Sequence, residues 1–155
     1  MIIEEVILTL RGHVDEAKRL FDSAREQAIK APSRMESRYD STREELSWKA
    51  EQLGAGLNTM RSLLHELQSM ALQRTHASGI VTVGSAVSVR PLGCEGSICD
   101  TYFIVPFGGG FDVQYEGKTV FVVSQDAPVA QVILGKGLKD ICRVGETDME
   151  IVSIE

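Results

Sequence analysis

The feature that most constrains this chain is a run of apolar residues between positions 46 and 71. Leu46, Ala50, Leu53, Leu57, Met60, Leu64, Leu67 and Ala71 recur at alternating intervals of four and three. Kept up over more than three heptads, that alternation puts these side chains on one narrow stripe of an α-helix. It is the seam of a coiled coil rather than the broader face of an ordinary surface helix. A seam needs a partner. An earlier set, Val14, Ala17, Phe21, Ala24, Ala28 and Ala31, repeats at three and four and makes a second stripe of smaller side chains. Paired antiparallel, the stripes set Val14 opposite Leu67 or Ala71, Phe21 opposite Met60 or Leu64, and Ala28 opposite Leu53 or Leu57.

Between the arms stands "KAPSRMESRYDSTREE" (30–45). Pro32 lacks a backbone donor and drives Ala31 out of the α region, so the first arm is expected to end near Ala31. Ser33 followed three residues on by Glu36 fits a capping box, which starts the second helix near Arg34 and carries it to about Gln73, roughly 60 Å at 1.5 Å per residue. The tip then covers residues 32–42. Gly54 and Gly56 interrupt the second arm at about 1 kcal/mol each against alanine, and are expected opposite the small Ala24/Ala28 face.

After "THASG" (75–79) the period changes from helical to alternating. "GIVTVGSAVSVRP", "TYFIVPF", "KTVFVVS" and "MEIVSIE" read as strands, and "FGGGFDVQYEGK" as a turn-rich hairpin connection. "APVAQVILGKG" opens with proline and closes with glycine, the asymmetry of a short helix. The expected fold class is α+β: an N-terminal antiparallel coiled-coil helical hairpin over residues 1–76, then a small antiparallel β-sheet domain with one short helix over residues 77–155.

Charge separates the halves as well. Residues 1–76 carry eleven Lys/Arg against twelve Asp/Glu, and residues 77–155 carry five against ten. The acidic second half argues against a domain that grips nucleic acid directly. No stretch reaches the roughly 18 apolar residues of a membrane span, and Met1–Leu10 carries two glutamates where a signal peptide would be basic then apolar, so a cytoplasmic chain without membrane contact is expected. Cys94, Cys99 and Cys142 fit no common zinc spacing and are expected as reduced thiols, with a Cys94–Cys99 bridge or a metal site as alternatives. His13, His65 and His76 are scattered, Trp48 lies off the seam, and Gly108–Gly110 is followed by no Lys-Ser/Thr, so it is no phosphate loop.

Several segments, in this order, resemble the Gre transcript-cleavage factors of bacterial RNA polymerase. "LTLRG" (8–12) is similar to the segment that opens that family's first helix, and "RYDSTREE" (38–45) to its "EYxxAREQ". "VGSAVSV" (83–89), "YFIV" (102–105) and "VSQDAPVAQVILGK" (123–136) resemble its "GATVTV", "YxIV" and "ISxNSPIAxxLIGK", and "MEIVSIE" resembles its closing strand. The resemblance implies an FKBP-like second domain that docks on RNA polymerase, with Asp126, Ala127 and Pro128 where the family's domain makes contact. It also implies a coiled coil that enters the secondary channel, and nucleic acid met only through the polymerase. A monomer without an intrinsic cofactor is expected. The chain would be an accessory factor and the polymerase the enzyme.

The tip departs from the family. There two acids hold the second catalytic magnesium ion and its water, chemistry that suits a hard cation and carboxylate oxygens. Aligned without gaps, this chain has Pro32 and Met35 at those places. Glu36 and Asp40, at i and i+4 with Cβ atoms about 6 Å apart, are the candidate ligands for a magnesium ion shared with the polymerase. Each also has a structural role open to it, Glu36 in the capping box and Asp40 beside Arg43. Arg34, Arg38, Tyr39 and Arg43 are candidate partner contacts, although Tyr39 and Arg43 also continue the seam backwards. The function implied is modulation of elongation and backtracking, with or without stimulated cleavage. A non-cleaving channel inhibitor or Gre competitor, an FKBP-like prolyl isomerase or chaperone, and a coiled-coil adaptor for another machine are the alternatives.

Overall fold

The computed structural model of the chain describes residues 1–30, 42–73, 79–96 and 98–155. Two long helices come first, α1 (Ile2–Lys30) and α2 (Thr42–Leu72), followed by strands β1 (Ala86–Pro91), β2 (Asp100–Val105), β3 (Phe111–Tyr115) and β4 (Lys118–Ser124). A short helix α3 (Pro128–Ile133) precedes β5 (Ile141–Val144) and β6 (Thr147–Ile154). The fold class is the expected one, a helical hairpin and then a sheet with one short helix. The expected domain boundary near residue 76 and the expected start of the second helix near Arg34 lie outside the described residues.

Contacts divide the chain into two compact units, Leu10–Leu64 and a second formed by Met1–Thr9 with His65–Glu155. In the first, α1 and α2 run antiparallel. Along α1 from Phe21 to Ile29, the residues across the groove between the helices come from Ala50 back to Arg43. Val14, Ala24, Ala28, Ala50, Leu57 and Leu63 are buried along them, and the other described seam residues of this unit are half-buried. The register differs from the expected one. Phe21 meets Gly54 rather than Met60 or Leu64, because Gly54 leaves the hole that the aromatic ring fills. Gly54 is thus a packing residue, whereas Gly56 faces open space.

The first helix also starts earlier than "LTLRG" suggested. Ile2, Ile3, Val6, Ile7 and Leu10 recur with helical spacing and are all buried, and Glu4 and Glu5 in the first turn complement the helix dipole. The part of α1 in the second unit therefore brings its own apolar face. The Tyr115 phenol on β3 is pushed up by desolvation and then by the carboxylates of Glu116, Glu155 and Glu4, which sets the first turn of α1 in the field of that edge strand.

The sheet has the order β3-β4-β2-β1-β6-β5. Every pairing is antiparallel except β2 with β4, which is parallel with Phe103 opposite Val122. Alternation gives the sheet two apolar faces. One carries Val87, Val89, Ile104 and Ile151, and packs with Val81, Ala130, Ile133, Cys142 and Met149 around α3. The other carries Ala86, Phe103, Val105, Val120 and Val122, all buried.

Two strands were not foreseen. The second half of "FGGGFDVQYEGK" is β3, paired with β4 through a turn at Glu116–Gly117, and "ICRV" is β5, paired with β6. Gly109 explains the glycine run: its φ is +84°, and a Cβ there would stand 2.9 Å from the Val122 carbonyl oxygen. The run passes close over β4, and the Gly110 amide donates to that same oxygen at 2.8 Å.

Candidate functional site

The expected contact residues fall into three groups. Arg34, Glu36, Arg38, Tyr39 and Asp40 lie outside the described residues. Arg43 is described, on α2. Asp126, Ala127 and Pro128 lead into α3 in the other unit.

At α3 the backbone is built tightly. The Gln125 amide donates to the Val105 carbonyl at 2.8 Å, and the Ala127 amide to the Ser124 carbonyl at 3.0 Å, so the segment turns straight off the ends of β2 and β4. Ala127 is the N-cap, extended at φ −64° and ψ 142°, and Pro128 follows at the first helical position. The alanine has no side-chain oxygen to cap the helix, where serine, threonine or aspartate would add about 1 kcal/mol. Ala127 packs half-buried on the core, while Asp126 and Pro128 are exposed. An acid and a proline ring thus stand outward on a rigid turn, with the alanine as its anchor.

In the hairpin, Arg43 reaches a groove of about 290 Å³ between the helices. Phe21, Arg25, Ala28 and Ile29 of α1 line it from one side, and Arg43, Ser47 and Ala50 of α2 from the other. Ala28 and Ala50 are buried and Phe21 is half-buried, so the floor is apolar, while Arg25 and Arg43 are exposed at its sides. Among the described residues neither arginine forms an ion pair, and no carboxylate lines the groove. The nearby Glu26 is bound to Lys30 at 2.6 Å, and that ammonium holds the Glu26 carboxyl below its ordinary range. Arg25 and Ser47 escaped the sequence reasoning, and Phe21 was placed on the stripe but not in a groove. The signal was present, since Arg25 follows Ala24 of the first stripe and Ser47 follows Leu46 of the second, but it needed the register to be seen.

Other polar contacts serve the sheet. Arg90 on β1 donates through Nε and Nη2 to Glu150 on β6, at 3.2 and 3.0 Å, and the guanidinium is pushed up, first by those hydrogen bonds and then by the charge. The two residues face each other just past a bulge between Ser88 and Val89, so the pair marks the resumed register. Cys94 is exposed, Cys99 half-buried and Cys142 buried. Among the described residues no group of three His, Cys, Asp or Glu is placed to hold a metal ion, and no helix is long and apolar enough to cross a membrane.

No family model matches the sequence, and no curated protein matches it significantly. Similar solved structures include GreA factor homolog 1 (Gfh1) of Thermus thermophilus, at 15% identity over 96% of this chain and 94% of that one, with a TM-score of 0.39. The Gfh1 of Thermus aquaticus is 13% identical over 98% and 90%, with a TM-score of 0.38. A prokaryotic transcription elongation factor GreA/GreB from Nitrosomonas europaea is 20% identical over 67% and 91%, with a TM-score of 0.36.

Proposed function

We propose that this chain is a Gre-like regulator of bacterial RNA polymerase. Residues 77–155 dock on the polymerase through the turn of Asp126, Ala127 and Pro128. The hairpin of residues 1–76 enters the secondary channel, with Arg34, Arg38, Tyr39 and Arg43 as contacts near its tip, and modulates elongation of backtracked complexes. It acts as a monomeric accessory factor in the cytoplasm, and nucleic acid is reached only through the polymerase.

One observation carries the proposal: a heptad hairpin is followed by a sheet whose "VSQDAPVAQVILGK" segment forms strand, rigid turn and short helix in the order the family resemblance requires. Co-purification with core polymerase tests it, and absence of binding at micromolar concentrations overturns it.

Cleavage is a separate step. Glu36 and Asp40 would supply the carboxylates for a shared magnesium ion in place of Pro32 and Met35. A backtracked complex with magnesium decides it. Cleavage that is lost in Glu36→Ala or Asp40→Ala supports metal delivery, and no cleavage at any dose makes the factor a non-cleaving occupant of the channel.

A further inference from the structure

We propose that the groove between α1 and α2 binds a small organic anion of mononucleotide size, with its phosphate on Arg25 and Arg43 and its flat body on the floor of Phe21, Ala28 and Ala50. Size comes first. At about 290 Å³ the groove falls just below the range of small-molecule sites, which run from roughly 300 to 1,000 Å³. That space suits a single small ligand rather than a length of peptide.

Charge narrows the choice. In a chain of net charge −6, two guanidiniums face one apolar floor from opposite helices, and among the described residues no acid lines the space between them. Of the carboxylates nearby in sequence, Glu26 is bound to Lys30, and Asp22, Glu44, Glu45 and Glu51 are not among the described residues that line the groove. Guanidinium forks match anionic oxygens in pairs and are weakly hydrated, so two of them favour a group carrying more than one acceptor oxygen. The floor selects what is attached. Phe21 is braced against Gly54 and stays partly uncovered, which leaves an apolar surface for a planar ring, and Ser47 adds a hydroxyl at the side. A simple dicarboxylate would satisfy the arginines and leave that floor wet.

The proposal needs no polymerase, so its failure and that of the transcriptional proposal are separable. Calorimetric titration of the full chain with adenosine monophosphate, adenosine, inorganic phosphate and succinate tests it, alongside a short single-stranded oligoribonucleotide. Binding of the monophosphate is expected in the micromolar to millimolar range, stronger than that of any of the other four. Arg25→Gln and Arg43→Gln are both exposed and should keep the fold, and each should weaken binding about fivefold or more, as loss of a charge-assisted contact does. Lys49→Gln, also exposed but away from the groove lining, should leave it unchanged. Unchanged affinity in both arginine variants overturns the site. Adenosine or succinate equal to the monophosphate overturns the ligand chemistry, and tighter binding of the oligoribonucleotide overturns a free nucleotide as the occupant.

Discussion

The ring of Phe21 fills the space that a side chain on Gly54 would need: a Cβ there would stand 3.0 Å from Cε2 and 3.5 Å from Cδ2. Gly54 and Gly56 lie two residues apart on one helix and are equivalent to any propensity scale. Gly56 has nothing within 4 Å. Gly56→Ala should therefore gain close to the full helix-propensity difference, about 1 kcal/mol. In Gly54→Ala most of that gain is offset because Phe21 must tilt, and Gly54→Leu should cost about 1–3 kcal/mol by overpacking. Urea unfolding of the three variants gives the order, and equal stabilisation by both alanines would remove the register.

Leu67 is fully buried and Trp48 is 64% exposed. Leu67→Ala should cost about 2–5 kcal/mol by leaving a cavity. Trp48→Ala should stay within about 0.5 kcal/mol, although it removes the larger side chain. Thermal unfolding of both variants by circular dichroism checks this, and a tryptophan variant that melts early would show Trp48 to be a packing residue.

The thiols should react in order of exposure. Cys94 is exposed, and Cys142 is 4% exposed with its thiol pushed up by burial, an effect that Lys136 only partly opposes. Iodoacetamide at neutral pH should label Cys94 first and Cys142 last, because the thiolate is the nucleophile. Peptide mass spectrometry reads the order, and in denaturant the difference should vanish.

Tyr102 stacks at a tilt on Phe121, with ring centroids 5.8 Å apart, and its phenol is pushed up by burial and then by the charge of Asp100. The unfolded phenol ionises near its ordinary value of 10.0. Below that pH the stabilisation from a neutral Tyr102 is complete, and it is lost as pH rises through the higher folded value. Phenolate absorbance of the native protein should show Tyr102 ionising later than a free tyrosine. Tyr102→Phe should flatten the fall of stability at alkaline pH.

Among the described elements the two long helices and four of the six strands were legible because their periods are long or cleanly alternating. The helix pairing was not. Leu-rich and Ala-rich stripes tolerate several registers, and the one adopted seats Phe21 in the hole at Gly54, a glycine that the sequence set opposite the Ala24/Ala28 face instead. The strand "ICRV" is too short to show a period, and β3 is half hidden by the glycines before it. At the candidate site, Pro128 signalled the start of α3 correctly, because proline fixes its own φ. Arg43 was named as a contact and a continuation of the seam, but Arg25 only flanks its stripe, and only the partner helix brings the two together.

The lone parallel pair, β2 with β4, bears on how the sheet assembles. The chain leaves β2, lays β3 at the outer edge and returns with β4 into the gap between them, so β4 is an inserted strand and not an added one. The tight turn at Glu116–Gly117 lets β3 and β4 zip together on their own, a local event of microseconds. Joining that hairpin to β2 spans a longer loop and pairs parallel strands, which is slower. The rate of folding of this half is thus expected to rest on a docking step between two preformed pieces, with the close passage of Gly109 over β4 as its latch.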